Sequence, residues 1–184
     1  GPGGELRHEE CITRDGFDGA YSIVYHARRP HTARQVDGPR LVAPEETAPR
    51  ALRRRHYLGG KAQAGGATAR AATTALLFNR DVVLSIVRPT ASCTGYFANG
   101  DGDDLYFIHQ GGGTLRSQFG DLPFQVGDYV CVPRGVIHRF VLDPGDGPQL
   151  WFGMECTGGV GLLKQWRNEL GQLRMDAPYC HRDF

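Results

Sequence analysis

From Thr74 to Glu155 the chain alternates short apolar runs with turn-forming residues. Residues 75–78, 81–88, 104–110, 114–118, 129–132, 136–142 and 149–155 are rich in β-branched, aromatic and leucine side chains. Each has the length of a strand rather than a helix. Between them stand Asn99-Gly100-Asp101-Gly102 and Asp143-Pro144-Gly145-Asp146-Gly147, residues that accept the backbone angles of tight turns. A further strand is predicted over 19–26, after the turn-rich Asp15-Gly16-Phe17-Asp18-Gly19. Many short strands at this spacing predict an all-β sandwich or jelly roll. Heptads, internal repeats and a glycine-rich nucleotide fingerprint are absent.

The flanks follow a different pattern. Residues 27–72 are dominated by Arg, Ala, Pro and Gly with no period, which predicts a long surface excursion with one short strand near Arg53 to Leu58. A loop of that length usually wraps a partner or is partly mobile. Its cluster Arg50, Arg53, Arg54 and Arg55 reads as a solvated or subunit-facing basic patch. After Cys156 the strand rhythm stops. Residues 161–170 form either a short amphipathic helix, with Leu162, Leu163, Trp166 and Leu170 on one face, or an extended arm. The expected layout is an N-terminal strand and loop region over 1–73, a barrel core over 74–157, and an arm or linker over 158–184. Leu162, Trp166, Tyr179 and Phe184 lie in a segment too short to bury them alone, so self-association or partner binding through residues 158–184 is expected.

Composition narrows the function classes. With 184 residues, 40% of them hydrophobic, the chain suits one globular domain. Its 26 glycines and 11 prolines suit many turns. A formal charge of +1 provides no electrostatic footprint for nucleic acid or an anionic membrane. No apolar run approaches the roughly 18 residues of a membrane span, and the first thirty residues are too charged for a signal peptide. Cysteines 11, 93, 131, 156 and 180 include no Cys-x-x-Cys pair, which favours reduced thiols in a cytoplasm. Cys131, inside an apolar strand, is expected to be a small core residue. The opening Gly1-Pro2-Gly3-Gly4 without a methionine, and the end at His181-Arg182-Asp183-Phe184, suggest a piece of a longer polypeptide.

Candidate chemistry concentrates at Gly127-Asp128-Tyr129-Val130-Cys131-Val132-Pro133-Arg134-Gly135-Val136-Ile137-His138. Pro133-Arg134-Gly135 supplies a tight turn between two strands, and His138 follows it. This resembles the second signature of the cupin superfamily, whose final histidine usually binds metal. The first cupin signature fits in one register, with Asp104 at its acid, Gly111 at its glycine, and Phe97 and Asn99 where two histidines stand. A phenyl ring cannot coordinate, an amide oxygen is a weak donor, and a transition metal wants about three or four protein ligands. His109 has the opposite strand parity from Asp104 and is no replacement. No metal site is therefore expected within the chain, and no catalytic residue is assigned. Asp104 and His138 remain a candidate inner-face polar pair, satisfied structurally or used in general acid–base work.

The segments 96–105, 112–120 and 166–172, together with the Pro-Arg-Gly motif, Arg14 to Gly19, and Tyr25-His26 before Pro30-His31-Thr32, resemble the amino-terminal half of bacterial homogentisate 1,2-dioxygenases. The likeness spans nearly the whole chain. It implies a cupin-type jelly-roll barrel with a long N-terminal excursion and an extended or short-helical C-terminal arm. Family members are bicupins that open the ring of homogentisate, a small aromatic acid, with dioxygen to give maleylacetoacetate in aromatic amino-acid catabolism. Their Fe(II) sits on two histidines and a glutamate of the carboxy-terminal cupin, so the resemblance implies no cofactor in this chain, inactivity of this chain alone, and the missing second cupin and a homo-oligomer as partners. A stand-alone atypical cupin enzyme using Asp104 and His138, or a non-catalytic small-molecule-binding cupin, are the competing readings.

Overall fold

Alternation of side chains decides the architecture. In the computed structural model, which describes residues 3–177 apart from 15, 31, 34, 39–42, 47, 49, 50, 64 and 146, the regular elements are ten strands and three single 3₁₀ turns. The strands are β1 (His8–Thr13), β2 (Tyr21–His26), β3 (Thr73–Phe78), β4 (Val82–Val87), β5 (Asp103–Gln110), β6 (Gly113–Ser117), β7 (Gly120–Phe124), β8 (Tyr129–Val132), β9 (His138–Leu142) and β10 (Leu150–Cys156). One sheet runs β3-β4-β10-β5-β8 and a second runs β7-β6-β9, with all pairs antiparallel. Phe97 extends the second sheet past β9, because it and His138 exchange both backbone hydrogen bonds at 2.9 Å. The chain crosses between the sheets after β5, β7, β8 and β9. That order is the jelly roll of the cupin type, which protects strands by closing two sheets on one core.

The core is aromatic. Trp151, Phe140, Ile108 and Phe124 are all but fully buried. Phe140 lies 5.0 Å from Trp151 and Phe124 5.5 Å from it, ring centroid to centroid, within the range in which tilted and edge-to-face rings attract. The indole N–H of Trp151 donates to Gln149 Oε1 at 3.0 Å, and Gln149 Nε2 donates to the Gly112 carbonyl at 3.1 Å. Gly111, at φ 87°, is needed there: a Cβ at that position would overlap the Gln149 amide.

Two compact units divide the chain, one spanning Val42–Val160 and the other combining Gly1–Leu41 with Gly161–Phe184. The first holds the jelly roll. Within the second, β1 and β2 form an antiparallel hairpin in register from His8↔His26 to Thr13↔Tyr21. The Glu10 carboxylate, buried in that hairpin, meets His26 Nε2 at 2.7 Å. The 161–170 stretch adopts the arm rather than the helix, with a single 3₁₀ turn at Lys164–Trp166 and an isolated bridge between Arg167 and Leu173. Asn168 Oδ1 accepts the N–H groups of Leu170 and Gln172, and such a side-chain bond competes with helix formation in a segment already too short to nucleate well. Leu163 and Leu170 are consequently exposed.

Other expectations need correction. Residues 53–58 form no strand, since their run of arginines has no apolar alternation to bury. Cys131 is exposed because its neighbours Val130 and Val132 take the inner face of β8. Two strands went unanticipated. β1 is mostly polar, with Ile12 its one aliphatic residue, and β7 contains Pro123, tolerated because β7 is an edge strand. Arg50, Asp146, Tyr179, Cys180 and Phe184 lie outside the described residues. Among the described residues no helix is long and apolar enough to cross a membrane.

Candidate functional site

The two signature segments meet inside the barrel. The turn after β8 is held from three directions: Pro133 O accepts the Val136 N–H at 3.1 Å, Asn99 O accepts the Gly135 N–H at 2.8 Å, and Asp103 Oδ1 accepts the Arg134 N–H at 2.7 Å. Gly135 sits at φ 82°, the left-handed conformation such a turn requires. β9 then starts at His138 rather than at Val136, because Val136 is spent in closing the turn.

His138 is fully buried. Its Nδ1 lies 2.8 Å from the Val136 carbonyl oxygen, which assigns the proton to Nδ1 and leaves the lone pair on Nε2. Nε2 has no hydrogen-bond partner among the described residues. The Phe97 ring lies 4.2 Å from the imidazole, and Phe140 meets it edge-on at 5.7 Å. Burial lowers the His138 pKa, opposed in part by the bond to Val136. The imidazole is therefore neutral at physiological pH.

Asn99 and Asp104 make a second contact. The amide orientation of Asn99 is dictated by its partners, since Oδ1 accepts the N–H groups of Asp101 and Gly102 while Nδ2 donates to Asp104 Oδ1 at 3.1 Å. Asp104 is buried, and across the strands it faces Glu155 of β10. Burial pushes the Asp104 pKa up from 3.8 to about 6; the Asn99 bond pulls it down, and Glu155 and Asp103 push it further up. The same field reaches its neighbours. The Tyr106 hydroxyl is raised by burial first, then by Asp104, Glu155 and Cys93, and the Cys156 thiol by burial, then by Asp103, Asp104 and Glu155.

Phe97 thus packs on His138 and Asn99 bonds Asp104, while Asp104 and His138 share no hydrogen bond. Each bonds elsewhere: Asp104 to Asn99, and His138 through Nδ1 to its own turn, with Nε2 left without a partner. His109 is exposed, on the outer face of β5. Two acids escaped sequence reasoning. Glu155 shares the inward parity of Trp151 and Gly153 on β10, a signal legible only once the β10–β5 register is known. Asp103 has the outward parity of its strand yet is fully buried, because its carboxylate also accepts the Val160 N–H at 2.7 Å.

This donor set does not fit ferrous iron. Asn99 turns its N–H toward Asp104, Phe97 occupies the space beside the imidazole, and the aromatic core fills the barrel behind it. Among the described residues no group of three histidine, cysteine or acidic side chains could hold a metal. The outer side of Phe97 is occupied as well, by the Arg70 guanidinium 5.6 Å from the ring centroid. What remains is a neutral imidazole and a carboxyl group that exchanges its proton near pH 6.

No family model matches the chain. A Saccharolobus solfataricus protein named "Putative dioxygenase SSO1533" is 27% identical over 182 residues, covering 98% of this chain and 46% of that protein. The Homogentisate 1,2-dioxygenase of Bradyrhizobium diazoefficiens is 30% identical over 89 residues, covering 48% of this chain and 18% of the enzyme. Among solved structures, a cupin-2 domain containing protein from Shewanella frigidimarina superposes with a TM-score of 0.39 at 14% identity, covering 46% of this chain and 78% of that one. The chain spans less than half the length of either sequence relative.

Proposed function

We propose that this chain is the amino-terminal, metal-free half of a homogentisate 1,2-dioxygenase-like ring-cleaving oxygenase, with a structural and assembly role. The supporting observation is the pair Phe97 and Asn99, which stand where a metallocupin carries imidazoles and are committed to His138 and Asp104. The near full-length likeness to a protein about twice as long agrees with it. In this reading Fe(II) belongs to a second jelly roll, the aromatic acid binds with that half, the whole works in the cytoplasm as an oligomer, and this half contributes no group to the oxygen chemistry. The test is an oxygen electrode. The chain alone, loaded anaerobically with Fe(II), is expected to consume no oxygen with homogentisate, and a co-expressed second jelly roll carrying two histidines and a glutamate is expected to confer uptake. Oxygen uptake by the chain alone would overturn the reading.

One observation favours a second reading, a stand-alone atypical cupin enzyme. The buried Asp104 carboxyl, raised to about 6, suits general acid–base work. It predicts turnover of an added substrate by the chain alone, abolished in Asp104→Asn.

A further inference from the structure

The outer face of the three-stranded sheet sets two positive charges side by side. Arg116 of β6 and Arg139 of β9 are directly opposed in the antiparallel register. Their chain neighbours Leu115 and Phe140 are buried in the core, so both arginines point outward, since successive side chains on a strand alternate faces. Opposed positions on one face hold their Cβ atoms about 5 Å apart, and like charges placed so repel. The compensation is partial. Asp121 Oδ2 lies 3.4 Å from Arg116 Nε, on a side chain that is 58% exposed. No carboxylate among the described residues lies within ion-pair distance of Arg139. Arg139 Nε is shielded from water and has no hydrogen-bond acceptor among those residues. The Tyr96 ring covers one face of its guanidinium, with the ring centroid 5.1 Å from the guanidinium carbon. A second outward row, Pro123, Thr114 and Val141, lies two residues along the same strands and contains no charge.

We infer that this face docks an extended acidic segment of another protein, with an Asp or Glu carboxylate accepting hydrogen bonds from the Arg116 and Arg139 guanidinium groups and the side chain two residues along resting on the Pro123, Thr114 and Val141 row. Charge, order and spacing select that occupant. Two guanidinium groups against the single Asp121 carboxylate leave one positive charge, which one incoming carboxylate neutralises. A phosphorylated segment would bring close to two negative charges and overshoot, and a nucleic acid needs a row of cations along its backbone rather than one pair. The donors are already ordered. Stacking on Tyr96 fixes the Arg139 guanidinium, so little side-chain freedom is lost when an acceptor arrives. In an extended segment, residues i and i+2 stand about 6.6 Å apart on one face, the separation of the two outward rows of this sheet. An acidic side chain and an apolar one with a single residue between them therefore meet both rows, whereas a small anion would use the arginines and leave the uncharged row uncovered. The inference rests on the outer face of one sheet, so it stands or falls separately from the ring-cleavage reading.

The test is fluorescence anisotropy of a fluorescein-labelled peptide of alternating Glu and Val, titrated at low ionic strength with the 184-residue chain. Saturable binding with a Kd below about 1 mM is expected. Arg116→Gln and Arg139→Gln should each weaken it at least about tenfold, because each removes a charge-assisted donor. Arg53→Gln, an arginine outside the sheet, should leave it unchanged. Both sheet variants also remove a like-charge contact and are expected to fold with an unchanged far-ultraviolet circular dichroism spectrum. Should either fail to fold, Arg139→Lys, which keeps the charge and loses the planar fork, is expected to weaken binding as well. The same peptide with Gln in place of Glu should not bind, and inorganic phosphate should displace the acidic peptide only at far higher concentration than an unlabelled copy of it. No saturation by about 1 mM, binding that survives the sheet substitutions or falls equally in Arg53→Gln, binding of the Gln peptide, or displacement by phosphate as readily as by unlabelled peptide would each overturn the inference.

Discussion

The Phe97 ring rests 4.2 Å from the imidazole of His138, and the two residues are also joined by both of their backbone hydrogen bonds. On the proposed reading, a position that in metallocupins brings an imidazole to a metal here brings a hydrocarbon to an imidazole. Neutral His138 behaves as a core residue whose one side-chain hydrogen bond lies within its own turn.

If the geometry is that of a metallocupin with two ligands substituted, restoring them should restore binding. Phe97→His combined with Asn99→His would set three imidazoles and the Asp104 carboxylate around one point, enough for a divalent transition metal. The double variant is expected to retain about one equivalent of nickel or cobalt after dialysis against a weak chelator, where the unsubstituted chain retains none. Elemental analysis decides it. A folded double variant without metal would show that these four positions do not converge as ligands.

His138→Ala is expected to lower stability by about 2–4 kcal/mol, through the cavity left beside Phe97 and Phe140 and the loss of the bond to Val136. Urea denaturation measures this directly. In a reconstituted ring-cleaving enzyme the same change should leave turnover within about tenfold, equivalent to about 1.4 kcal/mol of barrier. Near-total loss of activity with stability unchanged would instead make His138 catalytic.

Legibility in the sequence followed the physics of each element. β4, β5, β8 and β10 were visible because their apolar residues alternate or run continuously between turns, and the Pro133-Arg134-Gly135 turn was visible because proline and glycine mark it. The polar hairpin strand β1 depends on a long-range partner, the Glu10–His26 contact, that no local pattern announces. β7 was hidden by Pro123, which a central strand would exclude. At the site, motif spacing and strand parity picked out Phe97, Asn99, Asp104 and His138, but parity could not say whom each would bond. The nearness of Asn99 to Asp104 depends on how the short loop between them closes, and that of Glu155 to Asp104 on cross-strand register, which is not local.

Asp103→Ala tests the support beneath the site. Its carboxylate accepts two backbone N–H groups from distant segments, Arg134 in the turn and Val160 after β10. Charge-assisted bonds of this kind contribute more than neutral ones, and both donors would be left without this acceptor. A loss of about 2–4 kcal/mol is expected. Faster hydrogen exchange should appear at the Arg134 and Val160 amides first, and unchanged exchange there would remove Asp103 from this role.

Asp104 makes the fold pH-dependent with a definite sign. Its folded pKa of about 6 lies above its unfolded value of 3.8, so between these values the folded state binds the proton more tightly than the unfolded state does. Stability from this group is therefore full below about pH 4 and falls as pH rises through about 6, after which it is level. The shift of about two units corresponds to roughly 3 kcal/mol at about 1.4 kcal/mol per unit. Asp104→Asn keeps an oxygen to accept from Asn99 Nδ2 and removes the titration. The variant is expected to match the unsubstituted chain near pH 4, exceed it in stability near pH 8, and lose most of the decline between them. Urea unfolding at intervals across that range is the measurement, and a decline that persists undiminished in the variant would assign the titration to another group.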